Sequence, residues 1–496
     1  MADILIDMQA CQTESRFRGL GRYTDALAQA LAAQAGGDRI HLLLNSSFPG
    51  TLPAIRRTFD ALVDPANIHV VELLDECEDR VPRLRWRHNA SALMREAYIA
   101  MIAPDVVFCP SFFEGYIDSA VLSIGRLSSV PVVTTVHDFI PLVYRQDYLD
   151  NNADFRRHYL AKIEELKKSA GIVTISESSF REAVELLGIA PDIMVNASEA
   201  ADPKFRRLGL SAADGEDLRR RFGLEKPFVL YTGGSDPRKN LPRLVEAFAL
   251  LPAELRQRHH LVLAGSMPEL DRAALDEEAR RRGLPRDTLK FTGYVDDEDL
   301  IRLYNLAALF VFPSLHEGFG LPCLEAFQCG TPVLGANTSS LPEVIGDPDA
   351  LFDPLSAGEM AARMQAVLTD SGLRAGLVER GAAQAARFSW ERSAGLALAA
   401  LRRAAGAPPA RQGWAAARAR IEACQERLVE ALAALPRQPA GPDEQDLMQV
   451  AQAMARNRTA AEARLRAGEL ARPAEWRIEG PFDSSYSLAA VNRALA

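Results

Sequence analysis

The chain of 496 residues is 48% apolar and 25% charged, the balance of a globular protein, and it is too long for one core, typical domain sizes giving about three. A formal net charge of -9 argues against nucleic acid as the main partner, because phosphate contacts need clustered Lys and Arg. Six cysteines without a Cys-x-x-Cys pair fit a reducing compartment and neither a disulfide framework nor a zinc site, and no apolar run nears the roughly 18 residues that cross a bilayer.

Residues 2–8 read as a buried parallel strand, so no secretory leader is expected. The loop 9–21 carries Arg16, Arg18, Gly19, Leu20 and Gly21 and leads into a helix predicted over 22–33 by its apolar spacing. Alone, Gly-x-Gly is a weak signal whose default reading is a tight turn. Strands at 40–44, 68–73, 105–109 and 130–136, with a helix around 91–102, are the pattern of a parallel sheet covered on both faces. His137 and Asp138 stand at the carboxyl end of such a strand, where ligands collect in open sheets, although Asp138 can also cap the next turn. A helical stretch at 154–169, a strand at 172–175, the cap Ser176, a helix at 179–187 and a strand at 194–197 follow. Residues 199–210, with Pro203 and Gly209, read as an interdomain linker.

The pattern then restarts. A strand at 228–231 meets the turn Gly233-Gly234 and a helix at 240–251, with Arg238 and Lys239 between them. Those two cations are either solvated surface charges or partners for a departing diphosphate. Strands at 260–264 and 289–291 lead to Gly293, Tyr294 and Val295, and Asp296 reads as the cap of a helix at 298–306. The short apolar run 309–312 is followed by Glu317, Gly318, Phe319 and Gly320, and a helix opens near Leu321 with Pro322 in its first turn. Gly330 and Pro332 close that helix before the strand at 332–335. Such a unit turns free backbone N–H groups and a positive helix end toward the loop, which suits a phosphate, with Glu317 and Glu325 on either side. Glu343 and Gly346 read as structural, and residues 350–354 with the helices to Arg387 complete a second sheet. Past Ala405, breaks at 406–411 and 436–442 separate helices at 414–435 and 444–468, read as a helical linker or hairpin; their mixed charge disfavours a membrane-surface role. The run 476–496 repeats the N-terminal order of strand (476–479), loop and helix (486–495).

EGFGLPCLEAFQCGTPV, residues 317–333, resembles the acid, seven residues, acid signature of retaining GT-B glycosyltransferases, the family that includes sucrose synthases and many bacterial mannosyltransferases. The resemblance implies an α/β fold of two Rossmann-like domains facing across a cleft, with a C-terminal helical extension. Residues 1–205 would bind acceptor, 206–386 the nucleotide-sugar donor, 387–405 would pack back on the first domain, 406–475 would link, and 476–496 would open a second, truncated transferase unit. It implies that Gly19, Leu20 and Gly21 approach the donor diphosphate and the acceptor, that His137 in HDFIP faces the transferred sugar, and that Gly293, Tyr294 and Val295 line the base. Gly318, Phe319, Gly320 and Leu321 would form the phosphate turn, Glu317 would hold donor-sugar hydroxyls, and Glu325 would accept bonds from the ribose as an ionised carboxylate. The family's customary Gly-Arg reads Gly233-Gly234 here, so either Arg238 substitutes for the missing cation or the donor site is weaker.

No Asp-x-Asp pair stands in a credible loop and Asp296-Asp297 is explained by capping, so no metal is expected, and Arg238, Lys239 and helix N-termini would take its role. GLGRYT, HDFIP and GGSDPRKN together resemble O-antigen mannosyltransferases and rhamnosyltransferases. That likeness implies a retaining hexosyltransferase with a GDP-sugar ahead of UDP or dTDP, and a free or lipid-linked glycan acceptor. It also implies a cytoplasmic protein with at most peripheral contact at the inner face of the membrane. Two rivals stand beside it: a nucleotide-sugar epimerase, which lacks the paired-acid context, and a non-catalytic glycan-binding or scaffolding half of a tandem enzyme, supported by the missing arginine.

Overall fold

Two stretches of alternating strand and helix fold into two parallel sheets. A computed structural model describes residues 1–406, 414–437 and 441–469, so the strand and helix expected within 476–496 lie outside the described residues. The first stretch runs β1 (Asp3–Asp7), α1 (Gly19–Gln34), β2 (Arg39–Asn45), α2 (Leu52–Phe59), β3 (Ile68–Val71), α3 (Arg85–Ile102), β4 (Val106–Cys109), β5 (Val132–Val136), α4 (Ile140–Val143), α5 (Ala153–Leu166), β6 (Gly171–Thr174), α6 (Glu177–Leu187) and β7 (Met194–Asn196). The second runs α7 (Ala212–Phe222), β8 (Phe228–Thr232), α8 (Leu241–Ala249), α9 (Ala253–Arg258), β9 (His260–Ala264), α10 (Glu269–Arg281), β10 (Leu289–Gly293), α11 (Asp297–Leu306), β11 (Leu309–Phe312), α12 (Leu321–Gln328), β12 (Val333–Ala336), α13 (Leu341–Ile345), β13 (Leu351–Phe352), α14 (Ala357–Thr369) and α15 (Ser371–Ala385). Three helices follow: α16 (Trp390–Ala405), α17 (Trp414–Ala433) and α18 (Glu444–Glu469).

The sheet orders are β3-β2-β1-β4-β5-β6-β7 and β10-β9-β8-β11-β12-β13, with parallel pairing throughout both. Counted from its own first strand, each sheet reverses direction at the same place, between β1 and β4 and between β8 and β11. In open α/β sheets the crevice at such a reversal is where ligands sit. The two-lobed, doubly wound architecture expected from the sequence is therefore what the chain adopts. Strands such as β8 and β11 are buried at every position, because helices cover both faces, which is why they read as unbroken apolar runs.

Several boundaries differ from the sequence reading, three of them for a clear physical reason. Helix α1 begins at Gly19, so Gly19, Leu20 and Gly21 form its first turn and not the preceding loop. Gly21 packs on the short 3-10 turn Glu14–Phe17, where a Cβ would stand 2.4 Å from Arg16 Cα and Ser15 O. Helix α3 starts at Arg85, since its polar first turns have work to do: Arg87 pairs with Asp446, and His88 Nδ1 lies 3.0 Å from Cys77 O. Strand β5 starts at Val132 because Pro131 has no N–H for the ladder.

Helix α16 crosses back to the first lobe and lies along α1. Gln34 Nε2 donates to Glu391 O (3.0 Å), Ser393 Oγ to Ser198 O (3.3 Å) and Arg402 Nε to Asp38 Oδ2 (2.7 Å). Helices α17 and α18, read from sequence as a linker or hairpin, are a hairpin docked on α3. Ile421, Cys424, Leu428, Leu432, Val450 and Met454 are buried in one core with Leu93 and Met94. Each large apolar side chain buried this way contributes on the order of 1.5–3 kcal/mol, enough to fix the hairpin on the lobe. At its far end Asn457 pairs its amide with the backbone of Glu72, accepting from the N–H at 2.8 Å and donating to the C=O at 2.9 Å. Arg464 Nη1 and Nη2 reach His69 Nε2 (2.7 Å) and His41 Nε2 (3.3 Å), both buried. Among the described residues no helix is long and apolar enough to cross a membrane.

Candidate active site

The loops after β5 and β11 meet where Gly318 approaches His137, and part of the sequence-predicted set stands beside that seam. After β8, Gly233 N–H donates to Ala264 O (2.9 Å) and Tyr231 Oη to Gly234 O (2.8 Å), turning the chain toward the cleft. Asp236 then caps the 3-10 turn Pro237–Lys239, accepting from Arg238 N–H at 3.1 Å. That turn aims both cations at one carboxylate: Arg238 Nη1 donates to Glu317 Oε2 (2.8 Å) and to His316 O (2.9 Å), and Lys239 Nζ donates to Glu317 Oε1. Glu317 is buried, which by itself would push its pKa up, but Lys239 and Arg238 outweigh burial and hold it below the usual carboxylate range. The loop carrying it is pinned by two serines, for Glu317 N–H donates to Ser339 Oγ (2.9 Å) and Ser340 Oγ donates to Glu317 O (2.9 Å) and Phe319 O (2.6 Å).

No side chain caps α12, whose first turn follows Gly320. Glu325, one turn in, has the opposite environment from Glu317. It is buried, takes a bond from Tyr304 Oη (2.9 Å), and burial pushes its pKa up to about 7, with Arg22 and Lys204 acting on it only from a distance. Burial thus works against the ionised state that the resemblance implies for Glu325. Glu325 shares a cavity of about 550 Å3 with Gly19, Arg22, Glu199, Lys204 and Leu321, formed between α1 and the start of α12. Glu317, Arg238 and Lys239 do not line that cavity; buried Cys323 lies within electrostatic reach of both acids and of Lys239. Phe319 is core, edge-on to Phe388 at 5.6 Å, and Tyr294 is 82% exposed, so of the Gly293, Tyr294 and Val295 segment only Val295 packs inward.

On the first lobe His137 follows β5. Its Nε2 lies 2.9 Å from Pro110 O, which can only accept, so Nε2 carries the hydrogen and Nδ1 faces Glu199 Oε1 at 3.7 Å. Tyr23 stands edge-on to the imidazole at 4.7 Å. Asp138 does cap the next turn, accepting from Ile140 N–H at 2.9 Å. The lobes touch here: a Cβ on Gly318 would fall 2.5 Å from His137 O, so glycine lets the two backbones meet.

Sequence reasoning missed the contacts that hold the lobes together. Glu343, read as structural, accepts from the N–H groups of Glu177 (2.9 Å) and Ser178 (3.1 Å) and so caps α6 of the other lobe. Asp296 caps α11 as expected, but Asp297 pairs with Arg22 (2.9 Å) and Lys204 (2.8 Å) across the seam. Tyr148 Oη donates to Asp236 Oδ2 (2.6 Å), and His316 Nε2 lies 3.0 Å from Glu182 Oε1. The only sequence signal for these was polarity beside the glycine loops. Among the described residues no three His, Cys, Asp or Glu side chains converge as a metal site.

Residues 17–195 match the family described as Glycosyltransferase Family 4, and residues 215–384 the family described as Glycosyl transferases group 1. The O-antigen chain mannosyltransferase B of Escherichia coli is 31% identical over 377 residues, which are 75% of this chain and 93% of that protein. The chain belongs to this glycosyltransferase family. The serotype-specific mannosyltransferase WbdA of Escherichia coli is 39% identical over 398 residues, 80% of this chain and 47% of WbdA, so this glycosyltransferase chain spans about half the length of that relative. In fold it is similar to Anabaena HepE in complex with UDP and glucose (TM-score 0.58, 17% identity, 81% of this chain and 99% of that one). It is also similar to WaaG, a glycosyltransferase involved in lipopolysaccharide biosynthesis (TM-score 0.55, 17% identity, 80% and 99%). At those identities the likeness speaks for the GT-B fold alone.

Proposed function

We propose that the chain is a retaining, metal-independent hexosyltransferase that moves mannose, with rhamnose as the second choice, from a GDP-linked donor to a growing surface polysaccharide of O-antigen type. The relatives named above as mannosyltransferases support the sugar and the acceptor class. The observation that carries the reading is the triad of Arg238, Lys239 and Glu317 set at the reversal of the second sheet beside the uncapped start of α12. A departing nucleoside diphosphate develops negative charge, and fixed cations with a positive helix end stabilise it without reorganising. Glu317 holds those cations in place and keeps an ionised carboxylate for donor-sugar hydroxyls.

In this reading the donor is bound by residues 206–386 and the acceptor by residues 1–205, with Glu325 toward the ribose and the backbone of residues 293–295 toward the base. The bond from the anomeric carbon to the phosphate oxygen breaks, that oxygen takes the proton of the acceptor hydroxyl, and the new glycosidic bond forms on the same face. His137, its Nε2 hydrogen committed to Pro110 O, meets the sugar through Nδ1 or its ring edge. Work at the inner face of the membrane through peripheral contact, and a second transferase unit in a longer chain, belong to the same proposal.

The test is nucleotide release from GDP-mannose, GDP-rhamnose, UDP- and dTDP-sugars in the presence of a mannose oligosaccharide. Native protein is expected to turn over with a GDP-sugar, and Glu317→Gln or Glu317→Ala to lose on the order of 10²- to 10³-fold in kcat. Oligosaccharide binding with no turnover on any donor would replace the enzyme by a glycan-binding module.

A further inference from the structure

The segment between β4 and β5 carries a buried acid that the donor chemistry leaves unused. The segment is fixed from behind. Gln9 Nε2 donates to Val121 O (2.8 Å), Asn45 Nδ2 to Ser119 O (3.0 Å), Lys162 Nζ to Leu122 O, and Asp79 N–H to Gly115 O (3.2 Å). So held, it presents Glu114, which is 7% exposed. Its carboxylate takes one bond from Ser15 Oγ to Oε2 and one from Ser111 Oγ to Oε1, both 3.1 Å, and among the described residues no Lys or Arg is bonded to it. An ionised carboxylate has about four acceptor sites, so two neutral hydroxyls leave capacity for more. Burial first, then Asp118, raises its pKa, while the two serines and His137 pull it back.

Position supplies the second half of the argument. Ser15 follows β1, and Ser111 and Glu114 follow β4, so these three stand at the carboxyl ends of the two strands that flank the β1/β4 reversal, with His137 after the neighbouring strand β5. His137 is also where the second lobe touches the first, through Gly318. A carboxylate with spare acceptor sites and no bonded cation does not suit an anion. It suits a ligand rich in neutral O–H donors.

We infer that Glu114, oriented by Ser15 and Ser111, is a binding residue of the acceptor subsite and accepts hydrogen bonds from hydroxyls of the acceptor sugar. The inference rests on the transferase reading above, and names the first-lobe side chain that takes the incoming glycan. Tying two loops together would need only a hydrogen-bond acceptor, which glutamine also supplies; accepting from several hydroxyls at once needs the carboxylate.

The experiment compares native protein with Glu114→Gln and Glu114→Asp, using GDP-mannose as donor and an α-linked mannobiose as acceptor probe. Glu114→Gln is expected to raise the acceptor KM about ten- to hundredfold, the loss of hydrogen bonds to a charged group. GDP affinity and Tm should stay at native values, and Glu114→Asp should recover part of the acceptor affinity. An acceptor KM within twofold of native, or a parallel fall in GDP affinity, overturns the assignment. Should native protein transfer from no donor, the transferase reading falls, and mannobiose binding followed by NMR still decides for Glu114: weakened binding in Glu114→Gln upholds the subsite, and unchanged or absent binding removes it.

Discussion

A carboxylate buried against a single tyrosine hydroxyl keeps its proton far above the usual range, and Glu325 titrates at about 7 for that reason. Its pKa is raised from the ordinary glutamate value of 4.5, so the folded state binds the extra proton between about 4.5 and 7 and stability falls as pH rises through that window. Above pH 7 the full cost, on the order of 3 kcal/mol, is in place. Glu325→Gln, which can still accept from Tyr304, is expected to raise stability by about that amount at pH 8 and by less than about 1 kcal/mol at pH 5, read by denaturant unfolding at the two pH values. The same variant is expected to weaken GDP binding at pH 8, because a neutral amide accepts less well from ribose hydroxyls. Glu317 and Glu325 were both legible in the sequence, since one run of 17 residues sets their spacing. Their opposite ionisation was not, because it depends on Arg238 and Lys239 arriving from another loop and on Tyr304 arriving from α11.

Among the elements, α18 shows how a helix that looks like a linker becomes part of a lobe. Its docking sets Arg464 against His69 and His41, and both imidazoles are neutral in that arrangement. Burial, then Arg464, lowers the His69 pKa to about 2, and burial lowers that of His41 despite Asp3. For a base whose folded pKa is depressed, the stabilisation is complete above the unfolded value of about 6.5 and is lost as pH falls below it. Amide hydrogen exchange across α18 is therefore expected to quicken between pH 7 and pH 5, after correction for the intrinsic rate, and His69→Gln is expected to blunt that change. Equal protection at both pH values would show that the apolar face alone holds the helix. The hairpin was readable as two helices from composition, yet its docking was not, because the heptad-like apolar spacing names a buried face without naming what buries it. Helix α1 was misplaced by three residues for a similar reason: glycines marked a loop locally, while the close approach to the turn Glu14–Phe17 that requires Gly21 is tertiary.

At the scale of the whole molecule, the two sheets were legible because each parallel strand is an uninterrupted apolar run. The seam between them was not, for its contacts join residues far apart in the chain, Glu343 reaching Glu177 and Ser178 across more than 160 positions. Glu343→Ala removes a cap on α6 and a bond between lobes at once. It is expected to lower stability by roughly 1 kcal/mol, read as a fall in Tm, and to enlarge the radius of gyration in small-angle scattering, with the scattering of native protein as reference. A lower Tm with unchanged scattering would mean that Arg22, Lys204 and Asp297 suffice to keep the seam closed.

The return of α16 to the first lobe means that, among the described residues, the polypeptide passes between the lobes twice, once after β7 and once after α15. A body tethered at two points swings about the line through them and resists twisting off it. Gaping and shutting along one arc would bring Glu317 and His137 back into the same mutual placement on every cycle, with no separate latch needed to restore their alignment.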